Sequence, residues 1–183
     1  MTKTRVEPAS VAHRPRVVET VVSAFRDDPA FRWFFRDPAV FDRHATAFAG
    51  YLFDGRVGAG TVWVADAGSA VSMWDAPGGW TDVPLDLPRG VRDRLDRYSR
   101  IVHRLLPATD HWYLGVLATH PEHAGRRLGR AVMTPGVRHA AAVGLPAYLE
   151  TANPVNVGVY VRSGWTVAAE TSVDDLPVWV MCR

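Results

Sequence analysis

The sequence predicts an α/β fold in one domain, a mixed central sheet flanked by helices. Three observations lead there. Residues 112–181 alternate strand, loop, helix, strand, helix, strand, strand, which places two neighbouring strands parallel across a crossover helix. The first half carries helical apolar stripes and one hairpin pattern. The length of 183 residues suits one domain against a prior of roughly 150. At 48% apolar and 22% charged, the chain departs from disordered, collagen-like and coiled-coil compositions.

Each element follows from local pattern. Over residues 15–25, Val17, Val18, Val21, Val22 and Phe25 recur at three- and four-residue steps, the stripe of an amphipathic helix. Asp27, Asp28 and Pro29 stop it. A second helical region spans residues 31–52, punctuated by Pro38, where Phe31, Trp33, Phe34, Phe35, Phe41, Phe48 and Tyr51 crowd together. Most of these are expected in the core, some at an aromatic-tolerant pocket. The period then shortens: residues 61–65 and 70–74 are β-branched and aromatic runs joined through Asp66, Ala67 and Gly68, the pattern of a hairpin. Residues 76–88 are rich in proline and glycine and read as a functional loop.

Val91, Leu95, Tyr98, Val102 and Leu105 place one apolar stripe on a helix whose other faces carry six arginines between Arg89 and Arg104. Nearby aspartates dilute that charge, so the reading is a solvated face. Residues 112–119 form a strand-like run. Gly125-Arg126-Arg127-Leu128-Gly129 then opens a helix to about residue 143, which Gly144 and Pro146 end. Residues 147–152 read as a strand, 154–162 as a short helix ending near Gly164, and 165–169 and 178–181 as final strands.

Composition excludes several function classes. With 21 basic and 19 acidic residues the net charge is +2, and 20 of the 21 basic residues are arginine, a pattern of codon bias more than of partner choice. Zinc-finger and basic-zipper spacings are absent and aromatics are not interleaved with the arginines, so no nucleic-acid partner is expected. Lys3, Arg5, Arg14 and Arg16 make the start basic, but no apolar run there has the length of a secretory signal, and no stretch approaches eighteen apolar residues. A soluble cytoplasmic protein without a membrane partner is expected. The lone Cys182 provides neither an internal disulfide nor a cysteine-based zinc site, and the seven histidines show no ligand spacing, so no metal is expected.

The glycines and arginines between His123 and Arg130 sit between a strand and a helix N-terminus, where unpaired N–H groups and the helix dipole favour an anion. The loop is neither GxGxxG nor GxxxxGK[ST], which argues against a Rossmann dinucleotide site and a P-loop.

The stretch from Trp112 to Trp165 resembles the acetyl-CoA-binding half of the GNAT superfamily of N-acetyltransferases. The likeness is carried by LGVLATHPEHAGRRLGRAVM and YLETANPVNVGVYVRSGW: an apolar-x-apolar strand end at Leu117-Ala118-Thr119, the glycine loop, a helix, a strand, and Asn153, Asn156, Tyr160, Gly164 and Trp165 in order. Within that superfamily the chain is most similar to the puromycin N-acetyltransferase family, through VWVAD, AVSMW, PGV and LET. The similarity runs from about Ala24 to Cys182 and weakens between Ala76 and Asp110.

The resemblance implies a GNAT fold over residues 1–183, with an acceptor-side half over about 1–110, an acetyl-CoA-binding half over about 111–183, and splayed strands at the acetyl-CoA site. It implies acetyl-CoA, or CoA as product, held by Leu117, Ala118, Thr119, Gly125, Arg126, Arg127, Leu128, Gly129, Arg130, Asn153 and Asn156. Two positions depart from the pattern: Ala124 stands where glutamine or arginine is usual, and Arg127 where glycine is usual. Arg127 either points outward to donate to a phosphate or crowds the loop. Asn153 fits equally as a helix N-cap before Pro154, and Asn156 as a helix-surface residue.

The implied reaction is direct attack by a primary amine of a small molecule, an antibiotic or other xenobiotic among the candidates, in a ternary complex. Tyr160 is the expected general acid for the CoA thiolate, against a reading in which it packs on the sheet. Glu150 is the first candidate base, ahead of Asp27, Asp28, His111 and His120. The alternative function is a GNAT-fold binding or regulatory module with weak or no catalysis. A monomer or homodimer is expected.

Overall fold

The computed structural model describes residues 4–183; Lys3 of the basic start lies outside them. Seven strands form one sheet in the order β1-β2-β3-β4-β5-β7-β6. They are β1 (Val6–Pro8), β2 (Val62–Ala65), β3 (Ala70–Asp75), β4 (Trp112–Thr119), β5 (Ala147–Thr151), β6 (Thr166–Val173) and β7 (Leu176–Cys182). Every neighbouring pair is antiparallel except β4 and β5. The single parallel pair is the one the crossover helix demands. Helices α1 (Arg14–Ala24), α2 (Pro29–Phe34), α3 (Phe41–Val57), α4 (Arg89–His103), α5 (Leu128–Ala142) and α6 (Pro154–Val161) complete the fold. No described helix is long and apolar enough to cross a membrane.

The expected helical region over residues 31–52, punctuated by Pro38, is two helices. Asp28 starts α2 by accepting from the Ala30 and Phe31 amides at 2.9 and 3.3 Å, and α3 begins only after Pro38 and runs on to Val57. A β-strand missed by periodicity, β1, is three residues long, too short for a pattern. The last two strands exceed their expected lengths. β6 lies at the sheet edge and is mostly solvent-exposed, so polar Glu170, Thr171 and Ser172 do not interrupt it. Asp174, at φ 53°, makes the turn to β7; a short polar side chain tolerates that left-handed conformation.

Alternation along the inner strands divides the core in two. Val62, Val64, Val71 and Met73 join the valines of α1 and the apolar and aromatic residues of α2 to α4, while Trp63, Trp74, Trp112, Leu114 and Trp165 pack with Met133 of α5. In α4 the stripe of Val91, Leu95, Tyr98 and Val102 is buried and the arginines lie outside it, one of them, Arg97, paired with Asp174.

Gly136 shows how close the α5 packing is. A Cβ there would lie 2.1 Å from Cε2 of the fully buried Trp74, and neither helix nor indole has room to retreat. Gly136→Ala is expected to destabilise by roughly 2–3 kcal/mol, as overpacked cores do, and thus to lower the melting temperature by about 5–10 °C. A melt coinciding with the parent's would show that the interface relaxes freely.

One irregularity positions the site. Met73 pairs with Val116 and Trp74 with Leu114, so Gly115 is an extra residue on β4. Such a bulge turns the following side chains to the opposite face: Trp112 and Leu114 belong to the α5 side, Val116 and Ala118 to the side of α1 to α4. The parallel pairing with β5 ends at the same place, with Leu114 against Leu149.

Candidate active site

Beyond Leu114 and Leu149, β4 and β5 part, and backbone groups of β4 that would have bonded to β5 face a gap. The splay expected near residues 117–119 begins two residues earlier, at Gly115. A cavity of about 500 Å³ opens there and extends beneath α2, α3 and α4. Leu114, Gly115, Val116 and Leu117 line it from β4, Glu150 and Thr151 from β5, and Asn156 and Tyr160 from α6.

Glu150 is the first residue of β5 past the parallel pairing. Tyr113, buried on β4, donates its hydroxyl to the Glu150 carboxylate. Burial raises the Glu150 pKa from 4.5 to about 7, against the opposing pull of that hydrogen bond. The group therefore gains and loses its proton near neutrality, as a general base requires. Tyr160 stands edge-on to Trp165, with ring centroids 6.2 Å apart. Burial first, then the charges of Glu150 and Asp28, push its pKa upward, so the hydroxyl keeps its proton and can donate.

Of the other titratable candidates only Asp28 lines the cavity, with its carboxylate occupied in capping α2. Asp27 pairs with Arg32 at 3.1 Å. His111 packs on Tyr148 at 5.4 Å and His120 accepts from the Glu122 amide at 3.4 Å, both away from the cavity lining.

Sequence reasoning missed Tyr113 and a second pair. Arg56, 4% exposed, donates from Nη2 to Asp75 Oδ2 at 2.7 Å and from Nη1 to the Leu52 carbonyl at 3.0 Å. Its guanidinium passes so near the bulge that a Cβ on Gly115 would lie 2.7 Å from Nη2. The lone glycine within an otherwise strand-like run was the one available signal.

From the cavity, β4 leads to the glycine loop: Leu117 lines the cavity, Ala118 is buried in the core, and Thr119 Oγ1 lies 3.4 Å from where a Cβ of Gly129 would stand. Gly125 has φ 77° and Arg127 φ 60°. The usual glycine at position 127 is thus explained by backbone conformation, since left-handed geometry costs other residues roughly 1–2 kcal/mol. Arg127 adopts it with its side chain exposed, outward rather than crowding the loop. Arg130 is also exposed. Among the described residues neither has a carboxylate within salt-bridge distance. Arg126 instead pairs with Asp66 of the hairpin turn at 2.8 Å and meets His123 Nδ1 at 2.8 Å. Leu128 is buried and anchors the first turn of α5. Two free guanidiniums at the N-terminus of a 15-residue helix fit a diphosphate.

Asn153 caps α6, accepting from the Val155 amide at 3.1 Å, which commits its carbonyl oxygen to the helix. Asn156 faces the cavity. Among the described residues no group of three or more His, Cys, Asp or Glu side chains is placed to hold a metal.

Parallel strands that pair for three residues and then part, beside a helix whose cationic N-terminus continues one of them, form the frame of an acyl-CoA-dependent transferase. The family model described as Acetyltransferase (GNAT) family matches residues 13–165. The chain belongs to that family, one of acetyl-CoA-dependent N-acetyltransferases. Solved structures share the fold. A structure of histone acetyltransferase HPA2 and related acetyltransferase from Corynebacterium glutamicum is 22% identical, with 100% of this chain and 96% of that chain covered and a TM-score of 0.73. The C-terminal condensation domain of Ebony in complex with beta-alanyl-dopamine is 12% identical, with 100% and 99% covered and a TM-score of 0.74. The PaiA N-acetyltransferase of Thermoplasma acidophilum in complex with coenzyme A is 10% identical, with 100% and 99% covered and a TM-score of 0.62.

Proposed function

We propose that this chain transfers the acetyl group of acetyl-CoA to a primary amine of a small molecule, by direct attack in a ternary complex. The observation that carries the reading is the meeting of Glu150 and Tyr160 in one cavity at the point where β4 and β5 part. Acetyl-CoA supplies an activated thioester. Arg127, Arg130 and the first amides of α5, with Gly125 and Gly129, hold its diphosphate, and Arg126 buttresses the loop through Asp66. Asn156 bonds the pantetheine arm. Backbone N–H groups along Leu117, Ala118 and Thr119 are donors for the thioester carbonyl oxygen.

Glu150, held by the Tyr113 hydroxyl, takes a proton from the bound ammonium, and the neutral amine so formed attacks the thioester carbonyl carbon; as the C–S bond breaks, the proton that the adduct's nitrogen loses replaces the one Tyr160 gives up. Tyr160 gives a proton to the departing thiolate. No side-chain nucleophile is needed: Cys182, the sole cysteine, sits on β7 opposite Tyr148 and Thr166 and away from the cavity lining. Structures of this fold in complex with coenzyme A and with beta-alanyl-dopamine support a CoA thioester and an amine as the two substrates. The sequence likeness to puromycin N-acetyltransferases supports a xenobiotic amine as acceptor.

Calorimetry with acetyl-CoA tests the reading and separates it from a silent binding module. Micromolar binding that weakens by about tenfold or more in Arg127→Glu/Arg130→Glu is expected, since each charge-assisted phosphate contact contributes roughly 1.5–3 kcal/mol. No heat at high micromolar ligand would overturn it.

A further inference from the structure

We infer that the acceptor is a cationic amine carrying an aromatic ring, with the ring held between α2, α3 and α4 and the amino group directed at Glu150. This rests on the acetyl-transfer reading and names its substrate class.

The cavity lining is of two chemical kinds. Glu150, Tyr160 and Asn156 are its polar groups where the strands part, and Phe31, Phe34, Phe48, Tyr51, Trp80 and Tyr98 are its aromatic walls. Phe31, Phe34 and Tyr98 are buried and packed ring to ring, Phe34 edge-on to Tyr98 at 5.0 Å. Those three close the core. Phe48 and Tyr51 are only half-buried and stack at 6.3 Å, leaving apolar surface turned to the cavity.

Trp80 is the informative residue. It belongs to the loop of residues 76–88, and 36% of it is exposed, yet it is firmly seated. A Cβ on Gly55 would lie 2.4 Å from its Cη2, the Arg56 guanidinium sits 4.8 Å above its ring, and the following amide, Thr81, donates to the Gly55 carbonyl at 2.8 Å. Its neighbour across the mouth is Tyr51, at 5.1 Å. Large aromatic surface that is immobilised without being covered is what a site offers a flat apolar ligand.

The charges decide the rest of the ligand. Asp28, Asp75, Asp96 and Glu150 line the cavity, and its one arginine, Arg56, is committed to Asp75. His103, also on the lining, has its pKa lowered by burial, so it is neutral at the pH where Glu150 acts. Among the described residues Asp28, Glu150 and the exposed Asp96 form no salt bridge. An acceptor with its own carboxylate is repelled, and a polyamine satisfies the charges while leaving the rings against water. A cation on a short tether from an aromatic ring satisfies both, and the rings add cation–π attraction.

Thiol release from acetyl-CoA with 2-phenylethylamine, tryptamine, n-hexylamine, spermidine and phenylalanine tests this. The kcat/KM values of the first two are expected to exceed the others by at least about tenfold, the scale on which apolar pockets discriminate. Trp80→Ala should raise KM for 2-phenylethylamine by a similar factor without changing the Kd for acetyl-CoA, and Trp80→Phe should restore it. Spermidine, n-hexylamine or phenylalanine equalling the aryl amines, or a preference indifferent to Trp80→Ala, overturns the substrate class while leaving acetyl transfer standing. Calorimetry of 2-phenylethylamine alone distinguishes the other failure: heat from the amine but none from acetyl-CoA supports the aromatic amine site and removes the transferase reading.

Discussion

Glu150→Gln is expected to lower kcat/KM by about 10²–10⁴-fold, the usual contribution of a positioned base, and at the same time to stabilise the fold at alkaline pH. Both effects have one cause. Desolvation lifts the Glu150 pKa from 4.5 to about 7, so the folded chain keeps a proton that the unfolded chain releases. Between those values the folded state binds more protons, and stability falls as pH rises through the window. Above about 7 the cost of a buried carboxylate is fully present. Glutamine keeps an oxygen to accept from Tyr113 and carries no charge, so the variant's melting temperature should exceed the parent's at about pH 8 and converge on it at about pH 4. Activity runs the opposite way, rising in the parent through a limb near pH 7 as the base form appears. A variant that kept this limb would eliminate Glu150 as the base. A melting difference with no pH dependence would show that the carboxylate is not desolvated.

Tyr160→Phe should reduce kcat by about 10²–10⁴-fold and leave the Kd for acetyl-CoA nearly unchanged. The substitution removes only the hydroxyl; the ring keeps its edge-on contact with Trp165. That hydroxyl is held protonated by burial and by the negative charges of Glu150 and Asp28, which suits a donor to a developing thiolate. The proposed diphosphate grip lies elsewhere, on α5 and its loop. Turnover unaltered by the change would leave Tyr160 as a packing residue. Equal losses in binding and turnover would make it a positioning residue for the thioester.

The segments most legible in the sequence are those whose structure is decided by nearby residues. The apolar run of β4, the glycines before α5, Gly144 and Pro146 after it, and Asn153 before Pro154 act within a few residues of themselves, and each element stands where these signals put it. The parallel pairing of β4 with β5 follows from the helix between them. At the edges, pattern failed for a physical reason: β1 is too short, and β6 faces water on both sides for much of its length, so neither shows the alternation that burial imposes. Asn153 illustrates a limit of a different kind. The sequence offers a cap and a ligand contact alike, and the 3.1 Å bond from Val155 shows the cap, while the side-chain NH2 group still has its donors for a ligand.

The sequence by itself determined the α/β class, the order of the elements from α1 onward and the glycine and arginine loop, and it put forward Glu150 and Tyr160 as candidates. Tertiary structure alone decided what those two side chains can do. Tyr113 reaches Glu150 across 37 positions and Arg56 reaches Asp75 across 19, and no local pattern encodes such meetings. The bulge at Gly115 shows only in the pairing of β4 with β3, at the place where the pairing of β4 with β5 ends. The Glu150 pKa near 7 is a property of removal from water, which no residue has until the surrounding helices close over it.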